Sequence, residues 1–183
     1  MLSLNFAPFP VIETERLLLR SLSINDADEM YSLRTNKKVY LHLNKPMDES
    51  LEATKKKIEE ILGMQQNNDA VFWVIAFKET PGHMIGNIGF WNISKGNYRA
   101  ETGYMLHPDH WQKGIMKEVL KPVVEYGFKK MNLHSIEANV NPDNIASGAL
   151  LESCGFEKEA YYKENYYYDG VFYDSAVYSR LNK

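Results

Sequence analysis

A mixed α/β fold, built on one mostly antiparallel sheet, is predicted by three observations. Midway along the chain the apolar spacing changes from helical to a continuous strand-length run, Ala70–Phe77. Two further strand-like runs follow, separated only by Pro81-Gly82 and Lys95-Gly96-Asn97, as antiparallel strands with short turns require. Helical stripes flank this block on both sides, with no linker or internal repeat. The resulting order, β-α-α-β-β-β-α-β-α-β-β, gives about seven strands and about four helices in one domain over residues 1–183.

The first strand is Arg16-Leu17-Leu18-Leu19-Arg20. Ile24 to Asn36 reads as a helix, with Asn25, Asp26 and Asp28 in its first turn, where carboxylates favour the helix dipole. Asp48 is the expected N-cap of a second helix, whose apolar positions are Leu51, Ile58, Ile61 and Leu62. Ala70–Phe77 is a central strand, Met84–Trp91 a second and Arg99–Leu106 a third. Gly82, Gly86 and Gly89 point to bulges or close backbone approach. Lys113 to Met131 carries a broad apolar stripe, and Pro122 inside it should kink that helix. His134–Val140 is a strand, Asn144–Ser153 a helix closed by Gly155, and Tyr161–Tyr168 with Val171–Leu181 a hairpin around Asp169-Gly170.

Composition narrows the function. The chain has 21 Lys and Arg against 24 Asp and Glu, a net charge of −3, which argues against direct nucleic-acid binding. No run approaches the length of a membrane span, and the first residues lack the pattern of a signal peptide. Cys154 is the only cysteine, so no internal disulfide forms and no thiolate-rich metal site exists; a core role is expected for it. His107 and His110 lack a third ligand, so no metal is expected. A cytoplasmic protein follows from these readings.

Two stretches carry chemistry. Glu101–Glu118 reads as strand, turn and helix start. A helix start leaves about four backbone N–H groups unpaired. Gly114 lets an anion approach them, and Lys113 and Lys117 add positive charge, so a phosphate group suits this turn. An ordinary strand-to-helix junction is the alternative. In the second stretch, Asn139–Phe156, Asn144 stands at a helix entry with Ser147 one turn later, which capping alone would explain.

Together and in this order the stretches resemble the GNAT superfamily of acetyl-CoA-dependent N-acetyltransferases. Ile12-Glu13-Thr14-Glu15-Arg16-Leu17-Leu18-Leu19-Arg20 is similar to the opening of its ribosomal-protein N-terminal (RimJ/RimL-like) branch. Gly103-Tyr104, His107-Pro108-Asp109-His110-Trp111, Gln112-Lys113-Gly114, Asn144-Ile145-Ala146-Ser147 and Gly155-Phe156 continue the likeness over nearly the whole chain. The resemblance implies a GNAT fold, with a V-shaped opening that receives the pantetheine arm beside Met105 and Leu106. It implies a diphosphate held by Trp111, Gln112, Lys113, Gly114, Ile115, Met116 and Lys117, with Asn139, Asn144 and Ser147 also on the coenzyme. Trp111 and Met116 depart from the superfamily's usual loop pattern, and Lys117 replaces a frequent small hydroxyl residue.

The implied reaction is direct attack by a neutral amine on the thioester in a ternary complex. Glu101 stands where many relatives carry a base; a plain surface carboxylate is the alternative, and Glu137 and Glu152 are weaker candidates. The tyrosine that many relatives use to protonate the thiolate is replaced by Leu151, which leaves Ser147 for that role. A backbone N–H near Met105 would hold the oxyanion. The acceptor is expected beside Tyr40, His42, Trp91, Asn92 and Tyr167. Twelve tyrosines, many near the end, could line that pocket or a homodimer contact, although half-buried strand positions account for most of them. A protein N-terminal amine is the expected acceptor. A small amine, such as a polyamine, amino acid or toxin, is the alternative, and a non-catalytic acyl-CoA-binding module the second.

Overall fold

The computed structural model describes residues 1–183. Its strands are β1 (Ile12–Glu13), β2 (Leu17–Ser21), β3 (Val71–Phe77), β4 (Gly86–Ser94), β5 (Arg99–Leu106), β6 (Ser135–Val140), β7 (Glu157–Tyr168) and β8 (Val171–Leu181). Its helices are α1 (Ala27–Arg34), α2 (Lys37–Tyr40), α3 (Leu51–Gln66), α4 (Ile115–Lys129) and α5 (Ile145–Ser153), with 3₁₀ turns at Ile24–Asp26 and Pro108–His110. The eight strands form one sheet in the order β1-β2-β3-β4-β5-β6-β8-β7. Every neighbouring pair is antiparallel except β5 and β6.

Sheet alternation sends the large side chains to two unequal cores. On one face, Leu17, Leu19, Val71, Trp73, Ile75, Ile88 and Phe90 pack beneath α4 and α5 in a cluster of 26 buried residues. Each such side chain is worth about 1.5–3 kcal/mol when fully buried. α4 presses close there: a Cβ on Gly127 would stand 2.9–3.2 Å from Ile136, Phe90 and Leu133. Cys154 is buried in the same cluster. On the other face a smaller cluster joins Val74 to Met30 and Leu33 of α1 and Ile58 of α3.

Several boundaries differ from those expected. The strand count rises to eight through the two-residue β1, and the helix count to five through α2, one turn capped by the Asn36 side chain. Ser50, not Asp48, caps α3, because the Asp48 carboxylate is held by Arg34 Nε (2.6 Å) and Nη2 (2.7 Å). The long helix starts at Ile115, two residues late, since Gly114 is left-handed (φ 73°), and it ends at Lys129; it continues through Pro122. The terminal hairpin begins at Glu157, and its turn has positive φ at both Asp169 and Gly170, as a type I′ turn requires. Four of the five tyrosines of β7 are not half-buried: Tyr161, Tyr162, Tyr166 and Tyr167 are exposed, because β7 is an edge strand, and only Tyr168 is half-buried.

Candidate active site

The parallel pair β5 and β6 is matched only at Arg99–Ser135, Ala100–Ile136 and Glu101–Glu137. Beyond Glu101, β5 stays with β4 as far as Leu106, while β6 stays with β8 as far as Val140. The two strands therefore part, and their facing main-chain edges are open.

Hydrogen bonding fixes which groups line that opening. The His107 N–H donates to the Ile85 carbonyl at 2.8 Å, and the β4–β5 register is unbroken from Gly86–Leu106 to Trp91–Glu101. Alternation then turns the Met105 amide and carbonyl towards Asn87 on β4, and those of Tyr104 and Leu106 towards the opening. Of the expected pair, Leu106 faces the opening and Met105 does not; Tyr104 faces it instead. The Leu106 carbonyl also accepts the Trp111 indole N–H at 2.8 Å, which ties the following loop to the end of β5.

That loop is held in an unusual shape. Gln112 (φ 59°) and Gly114 (φ 73°) are left-handed, and the first intrahelical bond of α4 runs from the Glu118 N–H to the Gly114 carbonyl (3.0 Å). The N–H groups of Ile115, Met116 and Lys117 precede it and have no partner in the helix. Ile115 is buried, and Met116 packs against the larger core, so each offers its amide and not its side chain to the surface. Trp111, Gln112, Lys113 and Lys117 are exposed around them.

Arg16 braces the loop from β2's approach, a role the sequence reading did not assign. Its guanidinium donates to the Lys113 carbonyl (3.1 Å) and to Glu118 Oε2, and Thr14 and the Arg16 amide bond Glu118 Oε1. Burial alone would raise the Glu118 pKa, but these hydrogen bonds and the Arg16 charge hold it below the usual carboxylate value. The signal was present in the Thr14-Glu15-Arg16 opening, used only as a mark of resemblance.

Across the opening, Tyr104 Oη and Ser147 Oγ lie 2.9 Å apart. Burial is the main cause that pushes the Tyr104 phenol up to about 12, so it stays protonated at neutral pH. Asn144 caps α5 by accepting the Ser147 N–H at 3.1 Å, which fixes Ser147 at the first turn. Leu151 is fully buried, so no hydroxyl replaces the missing tyrosine there.

Glu101 lies on the other face of β5 with Gly103 and Met105. Its Oε2 accepts a hydrogen bond from Asn92 Nδ2 (2.8 Å), and Trp91 lies over Gly103, where a Cβ would come within 2.5 Å of the ring. Glu101, Trp91 and Asn92 are thus brought together. Asn139 is exposed on β6 and lies on that same face, away from the α4 loop. Tyr40 is buried in α2 (5% exposed), with its hydroxyl unpartnered, and His42 follows it. Tyr167 is not brought to this group: its ring packs on Phe172 at the hairpin end and is 60% exposed. No three His, Cys, Asp or Glu side chains converge as metal ligands would.

The family model of the acetyltransferase (GNAT) domain matches residues 16–157. The chain is a GNAT acetyltransferase. Acetyl-CoA is its co-substrate, and the open β5 edge and the unpaired amides at the start of α4 are main-chain groups that fit a pantetheine amide and a diphosphate. Among similar proteins, the uncharacterized N-acetyltransferase YoaA of Bacillus subtilis (strain 168) is 36% identical over 151 residues, 82% of this chain and 85% of that one. The [ribosomal protein uS5]-alanine N-acetyltransferase of Escherichia coli (strain K12) is 28% identical over 154 residues, 82% of this chain and 79% of that one. The crystal structure of ribosomal-protein-S5-alanine acetyltransferase from Vibrio fischeri superposes with a TM-score of 0.82 at 25% identity, covering 94% of this acetyltransferase and 97% of that chain. No helix of the acetyltransferase is long and apolar enough to cross a membrane.

Proposed function

We propose that this acetyltransferase transfers the acetyl group to the N-terminal α-amine of a protein. The observation that carries the reading is the parted β5–β6 pair, with a hydroxyl pair on one side and a carboxylate on the other. The likeness to uS5-alanine acetyltransferases supports an α-amine as acceptor. So does acid–base chemistry: an α-amine has a pKa of about 7.7–8.0, against about 10.4 for a lysine amine, so a carboxylate has less to deprotonate.

In this reading the amides of Ile115, Met116 and Lys117, with Lys113 and Lys117, hold the diphosphate. Arg16, Trp111, Gln112 and Gly114 keep the loop in shape. Tyr104 and Leu106 offer main-chain groups to the pantetheine arm. The thioester supplies the acetyl group and a thiolate leaving group. Glu101 takes the proton of the attacking amine on the acceptor face, beside Trp91 and Asn92. Ser147 directs its hydroxyl proton to the departing sulfur on the α5 face. Tyr104, neutral and donating to Ser147 Oγ, leaves the serine proton free for that purpose.

The test is transfer from acetyl-CoA to a panel of N-terminal peptides and small amines, followed by thiol release and by mass. Acetylation of peptide α-amines with higher kcat/KM than any small amine is the expected result. Transfer to small amines alone would move the acceptor to that class, and tight acetyl-CoA binding without any transfer would leave a binding module.

A further inference from the structure

The acceptor face continues beyond Glu101. Register places Trp91, Glu101, Glu137 and Ser179 in one row across β4, β5, β6 and β8, so their side chains leave the same face of the sheet. With neighbouring strands about 4.8 Å apart, Glu137 stands one strand and Ser179 two strands from Glu101. A hollow of about 410 Å³ opens over this part of the sheet, lined among others by Arg99, Glu137, Asn139, Glu159, Tyr162 and Ser179.

Its chemistry points to a cation. Glu137 is half-buried and paired with Arg99, and Glu159 is in no ion pair, so two carboxylates of the lining face one guanidinium, with Glu101 one strand away from Glu137. At its floor Ser179 is 6% exposed, and its Oγ has no hydrogen-bond partner. Buried hydroxyls are otherwise almost always satisfied, so this one has both its donor and its acceptor capacity free. A group rich in N–H donors and positively charged meets both features.

We propose that this hollow is a second cation site of the acceptor, taking an ammonium or guanidinium carried about 5–10 Å from the amine that is acetylated. The inference rests on Glu101 marking the acceptor face. A Lys or Arg at the second or third residue of an extended N-terminal peptide has that reach, and so does the second nitrogen of a short polyamine.

Two matched pairs of acceptors test it: a peptide with Lys at position two against its norleucine analogue, and a linear triamine against butylamine. Each is measured by kcat/KM and, with coenzyme A present, by calorimetric binding. The cationic member of at least one pair is expected to be favoured about tenfold, with the preference reduced at high salt. Glu159→Gln and Ser179→Ala should each bring that ratio towards one. Preference within the peptide pair assigns the site to a peptide side chain, and preference within the amine pair to a polyamine. Ratios near one for both pairs in the unaltered protein, or ratios that neither substitution changes, would overturn the proposal. Loss of all acetyl transfer would count against the functional reading instead, since the binding ratios report on the hollow without turnover.

Discussion

Tyr104 and Ser147 share one hydrogen bond across the opening, and only one of two protons can occupy it. Tyr104→Phe removes the hydroxyl partner that orients Ser147. Its expected effect is a kcat lower by about three- to tenfold with little change in KM for acetyl-CoA. Combined with Ser147→Ala it should cost little more than either alone, because the two act as a unit. The Tyr104 phenol also carries a pH signature. Its folded pKa of about 12 exceeds the ordinary 10, so the folded state holds the proton more tightly. That stability is complete below pH 10 and lost as pH rises through about 12, and an alkaline unfolding titration should lose this component in the Phe variant. Glu101→Gln is expected to lower turnover about 100-fold while leaving acetyl-CoA affinity within a few-fold; unchanged turnover would remove Glu101 from the mechanism. Glu101 and Ser147 enter the proposed mechanism because they stand at positions the resemblance marks. Tyr104 was not read as functional, since a tyrosine in a strand is ordinarily explained by packing, and nothing local says that its hydroxyl meets a helix 43 residues later.

Elements explain how a loop of mostly exposed residues keeps a binding shape. Trp111 pins it to β5, and Arg16 with Glu118 pins it to the segment before β2. Arg16→Ala should raise KM for acetyl-CoA several-fold with a smaller effect on kcat, and an equal fall in kcat alone would contradict a bracing role. Because the Glu118 pKa is lowered, its contribution is present above the ordinary carboxylate range and fades as the pH falls through the lowered value. Acid unfolding of Glu118→Gln should therefore show a shallower pH dependence. Gly114→Ala forces a Cβ into φ 73°, at a cost of about 1–2 kcal/mol, and should weaken acetyl-CoA binding at the same time. Strong local patterns such as Asp169-Gly170 were legible at this scale. The start of α4 was misplaced because helical apolar spacing does not reveal a left-handed residue at its entry. Asp48 looked like a cap for the same reason: only the fold brings Arg34 to it.

In the proposed mechanism the whole molecule separates the two halves of the reaction by sheet face. α4, α5 and the large core lie on one side, where Ser147 meets the leaving group in our reading. α1, α3 and the row from Trp91 to Ser179 lie on the other, where the amine arrives. The succession of strands along the chain was readable from turn chemistry and apolar runs, including one sheet of nearly the right size, but the place of β8 between β6 and β7 was not. The point at which β5 leaves β6 was not readable from the residues themselves, since it depends on pairing lost and not on any side chain; it came with the resemblance. That parting is the centre of the account, and amide hydrogen exchange tests it most directly. On adding acetyl-CoA, the amides of Tyr104 and Leu106 and those of Ile115, Met116 and Lys117 should gain the greatest protection. Protection centred on any other part of the chain, or none at saturating coenzyme, would contradict it.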